Sequence, residues 1–301
     1  MSFSSKRTVL TWVLIALIPI AGISGWLITK YTTNPGEQYQ INIDGSTTVY
    51  KIIKSSLQPF MDYHPGVIVT VSGTGTGTGI TSLIDGQADI AMASRPVKSE
   101  ENISSGGLLK SFPIAIDALS IVVHASASQL NITTDVARAI FNGTISSWSD
   151  PAVAVAGLSG QIQVVVREAG SGTRDAFNEL VMGDEKQLEP GSQYAAGAIS
   201  KNSNQLIKDA IATNPNYIGY IGLGYVDSTV DVVIINGVMP AIETVKDGTY
   251  DLQRDLYLVT LNNPQDLIKE FINWMLSPEG QKIVIDSGFV NVATTSDEVF
   301  T

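Results

Sequence analysis

From Tyr39 onward, short runs of aliphatic residues alternate with longer segments whose apolar residues recur three and four apart, a pattern that predicts strand and helix in turn. Strands are expected at Tyr39–Ile43, Val67–Val71, Ala88–Ala93, Val164–Val166, Asp231–Ile235 and Leu256–Thr260. The glycine-spaced stretch Tyr217–Val226 (YIGYIGLGYV) predicts a strand with tight turns. Val49, Ile52, Ile53, Leu57 and Phe60 share one face of a helix. Further helices are expected after Thr133 or Thr134 through Phe141, at Asn202–Ala212, at Asp266–Leu276 and at Glu279–Ile285. Ser277-Pro278 divides the last two, as a cap followed by proline at the first helical position. Phe112–His124 (FPIAIDALSIVVH) is apolar and too long for one simple strand. It predicts a crossover into a second lobe, with the return near residues 230–240. The fold class is α/β in two lobes, each a central sheet flanked by helices. Residues 39–115 open the first lobe, 116–235 form the second, and 236–301 return to the first.

Polar loops follow several of these strands, where open α/β sheets bind ligands. After Val164–Val166 comes Arg167-Glu168-Ala169-Gly170-Ser171-Gly172-Thr173, then a helix carrying Phe177, Leu180 and Val181. Glycine lets backbone approach a guest, the hydroxyls and the Arg167 fork donate hydrogen bonds, and the helix N-terminus adds free N–H groups. Such a set of donors suits an anion, whereas the bland alternative is an ordinary strand-to-helix turn. Asp44-Gly45-Ser46-Thr47-Thr48 repeats the arrangement, with Ser46 or Thr47 as cap. So does Ser72-Gly73-Thr74-Gly75-Thr76-Gly77-Thr78-Gly79 before a short helix with Ile80, Leu83 and Ile84. Its glycines miss the dinucleotide-binding spacing, and no Lys-Ser/Thr ends the loop, so it is not a P-loop. Ser94-Arg95-Pro96 closes another strand. Arg95 there is either a surface charge or a second guanidinium at the same pocket.

Composition narrows the chemistry. The 301 residues contain no cysteine, which excludes disulfides, thiol chemistry and cysteine zinc sites. The two histidines, His64 and His124, have no partner pattern, so neither a metal site nor a Ser-His-Asp hydrolase is expected. A formal net charge of −11 argues against nucleic acid as a partner. It leaves a small anion possible, because distant charge is screened beyond about 8 Å at physiological salt. Lys6 and Arg7 precede an uncharged run from Thr8 to Thr29 with Trp12 and Trp26 at its ends. Residues 1–8 are therefore expected in the cytoplasm, 9–29 in the membrane as an uncleaved anchor, and 30–38 as a linker. A cleaved signal peptide is the alternative, and either places the folded part outside the cytoplasmic membrane. Three sequons, beginning at Asn102, Asn131 and Asn142, fit an exposed surface.

DGSTTV (44–49), GTGTGTGI (73–80), ADIAMASRPV (88–97), REAGSGTRDAF (167–177), IGYIGLGYV (218–226) and WMLSPEGQKIV (274–284) occur in an order that resembles the extracytoplasmic phosphate-binding proteins of phosphate ABC transporters, especially their shorter members. The resemblance implies the two-lobed periplasmic-binding-protein fold (type 2), with two crossover hinge segments. It implies a monomer that carries inorganic phosphate to a membrane permease, with no cofactor, no metal and no catalysis. Matching positions imply phosphate contacts from Ser46, Thr47, Thr48, Thr76, Ser94, Arg95, Arg167, Ser171, Gly172 and Thr173. Three positions depart from the family. Thr76 stands for a serine and keeps the hydroxyl. Ala169 replaces an acidic residue, so the brace on Arg167 must come from elsewhere. Ser94 stands where long members have Asp, which accepts a proton from phosphate and repels sulfate. Asp44, Asp89 and Asp175 remain candidates for that acceptor. Two rivals stay open: a receptor or sensor for another oxyanion, and a secreted phosphate-ester hydrolase. The latter lacks both a nucleophile with a base and the Gly-x-Ser-x-Gly elbow.

Overall fold

The computed structural model describes residues 39–127, 129–183 and 194–292. The expected anchor at 9–29 and linker at 30–38 lie outside them. Among the described residues no helix is long and apolar enough to cross a membrane.

Twelve strands are described, in chain order β1 (Tyr39–Gly45), β2 (Val67–Ser72), β3 (Ile90–Ala93), β4 (Leu109–His124), β5 (Asn131–Ile132), β6 (Gln163–Arg167), β7 (Ile199–Lys201), β8 (Tyr217–Gly222), β9 (Val230–Val232), β10 (Ile234–Ile235), β11 (Gln253–Leu261) and β12 (Val290–Asn291). The main sheet runs β2-β1-β3-β11-β4-β8-β6-β7, while β10 and β5 pair separately. β4 is the element on which the halves depend. Phe112–His124, expected to be too long for one strand, lies in a single strand of 16 residues. Its two ends have different neighbours. Residues from Leu109 to Ala118 pair with β11, and Leu119 to Val123 pair with β8. One nearly unbroken apolar run thus serves two halves of a sheet, each covered on its faces, which is why period-2 alternation is lost there.

The strand directions bring the loops together. β1 is parallel to β2 and β3, and β3 and β4 are both antiparallel to β11. β1, β2, β3 and β4 therefore run the same way, toward the second half. β8 is antiparallel to β4, and β6 is parallel to β8, so β6 runs back toward the first half. The carboxyl ends of β1, β2 and β3 and that of β6 consequently face one another across the junction.

Each half has its own core. Ile80, Leu83, Ala91, Ala93 and Val259 pack in the first. Phe141, Trp148, Val164, Val166, Phe177 and Tyr220 pack in the second, with Phe177 stacked on Tyr220 at 4.0 Å. Val245, Tyr250 and Leu252 join this second cluster, so the chain keeps that packing past residue 235 and changes sides at the start of β11. The segment expected as one strand at Asp231–Ile235 is two, β9 on β4 and β10 on β5. The glycine-rich loop is shorter than expected, because Thr76–Ile84 is already helical.

Gly45 ends β1 with φ +133°, and a Cβ there would lie 2.3 Å from the Met92 carbonyl oxygen. Both features oppose any side chain. Gly45→Ala is expected to lower unfolding stability by about 2–4 kcal/mol, through backbone strain and displacement of β3. An unchanged denaturant midpoint would contradict this account.

Candidate functional site

Three helix N-termini meet at the junction. Ser46 caps the Thr47–Tyr63 helix, its hydroxyl oxygen accepting from the N–H groups of Thr48 (3.2 Å) and Val49 (3.4 Å). The N–H of Ser46 donates to the Met92 carbonyl, which fixes the loop to the end of β3. Thr76 opens the second helix. Ser171 caps the Gly172–Phe177 helix by accepting from the Arg174 N–H. Ser46, Thr47, Thr48, Thr76, Ser94, Ser171, Gly172 and Thr173 are all buried. A set of buried hydroxyls is costly unless each finds a partner.

Several of these residues pair, within the first half or across the junction. The hydroxyls of Thr48 and Thr173 lie 3.1 Å apart. Thr76 Oγ1 accepts from the Ser94 N–H at 3.2 Å and lies 3.4 Å from Ser94 Oγ. The Gly77 N–H donates to the Gly170 carbonyl at 3.0 Å. Gly172 abuts Thr76 and Ser94 so closely that a Cβ would lie 2.4 Å and 2.7 Å from their hydroxyl oxygens. Tyr225 OH donates to the Thr47 carbonyl.

The two expected arginines behave differently. Arg167 is 1% exposed, and Glu168 receives its Nε and Nη2, each at 2.8 Å. Glu168, next to it in the chain, is thus the brace that Ala169 does not provide. Arg167 Nη1 is buried and has no hydrogen-bond partner among the described residues. Arg95 is also buried, but its fork is turned to carboxylates. Its Nε donates to Asp175 at 2.7 Å, and its Nη1 and Nη2 donate to Glu101. Burial acts to lower the Arg95 pKa, and Glu101 and Asp175 outweigh it and raise the pKa. Lys98 joins Asp175 at 3.0 Å. Of the other acceptor candidates, Asp44 receives the Gly45 N–H, Thr74 and Ser82, and Asp89 receives the Asn42 N–H.

Three contributors escaped the sequence reading. Arg254 of β11 donates from Nη1 to the carbonyls of Ser94 and Gly172, and from Nη2 to Thr48 Oγ1, all at 3.3 Å. One guanidinium therefore ties together three of the loops. Its charge is met by Asp117 of β4 at 2.9 Å, whose other oxygen accepts the Leu223 N–H. Burial pushes the Asp117 carboxyl up and the Arg254 guanidinium down, against the pull each exerts on the other. Asn204 donates to Thr48 Oγ1 at 2.9 Å. The available signal was a charge inside an otherwise apolar strand, Asp117 alone in IAIDALS and Arg254 beside Asp255 in LQRDLYLV, since a buried charge needs a partner.

A cavity of about 410 Å³ lies elsewhere, lined by Lys51, Lys54, Lys208, Tyr50, Tyr225 and Asp227 among others. It contains none of the expected site residues. Among the described residues, no cluster of three or more His, Asp or Glu side chains could hold a metal ion.

A model of the PBP superfamily domain matches residues 31–279. The phosphate-binding protein PstS of Borreliella burgdorferi is 29% identical over 266 residues, covering 87% of this chain and 93% of that protein. PstS of Bacillus subtilis is 28% identical, covering 84% and 80%. Among solved structures, a putative phosphate ABC transporter substrate-binding protein with bound phosphate from Clostridium perfringens superposes with a TM-score of 0.76 at 30% identity, over 84% of this chain and all (100%) of that one. An ABC-type phosphate transport receptor from Vibrio cholerae gives a TM-score of 0.68 at 31% identity, over 84% and 100%.

Proposed function

The chain belongs to the PBP superfamily, and we propose that it captures inorganic phosphate at the junction of its two halves and hands it to the permease of a phosphate ABC transporter. It is a solute-binding protein, not an enzyme. One observation carries the reading: a fully buried guanidinium nitrogen, Arg167 Nη1, has no partner among the described residues, and Arg167 ends the strand that leads into the Ser171-capped helix at the junction. A buried, unpaired donor on a cation costs several kcal/mol, roughly, unless an anion answers it. The named relatives bind phosphate, and one solved neighbour carries it.

In this proposal Ser46, Thr47, Thr76, Ser94, Ser171, Gly172 and Thr173 surround the phosphate, Thr48 stands behind Thr173, and Arg167 neutralises the charge. Arg95 sits beside Ser94 and reaches Asp175 across the junction, so its main work is to hold the halves together. The first lobe takes residues 39 to about 118 and returns at β11, with β4 and β11 as hinges. The halves separate to admit the anion and close over it. The protein works as a monomer on the outer side of the cytoplasmic membrane, tethered by residues 9–29 or released after signal cleavage.

Calorimetric titration of the anion-stripped chain with phosphate and then sulfate tests the reading. Tight phosphate binding is expected, and an absence of heat from sulfate would show that a carboxylate accepts the phosphate proton despite Ser94. Equal binding of both would make the protein a general oxyanion receptor, the reading that Ser94 in place of a carboxylate would favour. No binding of either would refute the proposal.

A further inference from the structure

Hydroxyl groups in an anion site are useful only if their hydrogens point at the anion. Thr48 shows how that direction is set. A hydroxyl can accept two hydrogen bonds and donate one. Thr48 Oγ1 accepts from Asn204 Nδ2 at 2.9 Å and from Arg254 Nη2 at 3.3 Å. The Asn204 amide is itself oriented, because its Oδ1 receives the Gly222 N–H at 3.3 Å, which leaves its NH₂ facing the threonines. Arg254 has no acceptor to offer at all. Both lone pairs of Thr48 are taken, so its hydrogen must go to Thr173 Oγ1, 3.1 Å away. Thr173 then accepts, and its own hydrogen is the one left to point outward.

We infer that Asn204 and Arg254 are positioning residues that fix the hydroxyls of Thr48 and Thr173 as donors, so that the site prefers the doubly charged form of phosphate to the singly charged form. The inference rests on the phosphate reading. Donors favour the ligand with the most negative oxygens and the fewest protons. The charged and titratable groups around Thr48 and Asn204 are Arg254 and Asp117 from the two central strands, Arg167 with Glu168 from the end of β6, and Tyr220 and Tyr225 from β8 and the turn after it. All are shared by the variants compared below, so their own titration cancels.

Asn204→Asp tests this with little change of shape. The new carboxylate keeps one oxygen on the Gly222 N–H and presents the other to Thr48. Thr48 must then donate to residue 204 and accept from Thr173, which turns a lone pair of Thr173 outward. A lone pair there calls for a proton on the anion. Phosphate affinity would be measured by calorimetry at about pH 6 and about pH 8, on either side of the second ionisation of inorganic phosphate, which lies above the roughly 6 of a phosphorylated side chain. The unmodified chain should bind roughly ten-fold more tightly at the higher pH, following the doubly charged fraction. Asn204→Asp should bind at least as tightly at the lower pH. The double variant Asn204→Asp/Thr48→Val separates this reversal from simple repulsion by the added charge, since it keeps the charge and removes the hydroxyl that transmits the change. It should regain the pH ratio of the unmodified chain. An unaltered ratio in Asn204→Asp, or a reversal that survives in the double variant, would overturn the inference. If the unmodified chain bound phosphate at neither pH, the phosphate reading would fall and this inference with it.

Discussion

Arg167→Ala is expected to weaken phosphate binding by at least about 100-fold while leaving a cooperatively folded protein. Arg167 is almost wholly buried, and two of its nitrogens are held by Glu168 while Nη1 has no partner. The side chain is thus oriented by the protein and keeps one donor for a ligand. A charge-assisted hydrogen bond is worth about 1.5–3 kcal/mol, and each 1.4 kcal/mol is a factor of ten in affinity. Alanine also leaves Glu168 without its cation and beside the anion, which adds repulsion. Arg167→Lys should fall between, because it keeps the charge and loses the planar fork. Calorimetry with phosphate, alongside thermal unfolding of the anion-free variants, separates loss of binding from loss of structure. Phosphate binding by Arg167→Ala at the parent's affinity would remove the central assignment.

How much of this was legible in the sequence depended on whether the information was local. Ser46 and Ser277 cap helices as hydroxyls before apolar-periodic segments do, because capping is decided within three residues, whereas in the 167–173 loop the cap is Ser171 and not Thr173. The strands β2 and β6 were readable from runs of Val and Ile, β1 from its alternating Ile residues and β3 from the apolar stretch around Ile90–Ala93. Phe112–His124 was readable as the passage from one half to the other but not as one strand, since only the pairing of β4 with both β11 and β8 shows that it crosses without a break. The site divided in the same way. The Ser, Thr and Gly positions stood out because they lie in loops beside helix starts. Arg254 and Asn204 did not, because they come from distant parts of the chain and reach the site only after folding. Arg95 shows the converse limit. Its place beside Ser94 was visible, but Glu101 meets it only through the local turn into the 99–104 helix, and Asp175 depends on how the halves meet.

Gly172→Ala is expected to abolish closure while sparing the fold. The clash it creates is between halves, not within one. An added Cβ would stand 2.4 Å from Thr76 Oγ1 and 2.7 Å from Ser94 Oγ, with Thr76 Cβ only 3.1 Å away. Gly172 is the first residue of its helix and has an ordinary backbone angle, where alanine is a better helix former than glycine. With the halves apart the substitution therefore costs nothing. With them together it displaces two hydroxyls of the proposed anion site, and overpacking of that kind costs about 1–3 kcal/mol. Phosphate affinity should fall by roughly 100-fold, which removes about 2.7 kcal/mol of the stabilisation a saturating ligand confers. The anion-free variant should melt no earlier than the parent, and a given phosphate concentration should raise its melting temperature by less than it raises the parent's. Gly170→Ala supplies the contrast: φ is +82° and nothing lies within 4 Å of the added carbon. It strains the turn without blocking the junction, so it should lower stability and leave most of the phosphate-induced shift. If Gly172→Ala kept the parent's affinity, the bound form would not bring Gly172 against Thr76 and Ser94. The hinge account of β4 and β11 would then have to be rebuilt around a wider closed state.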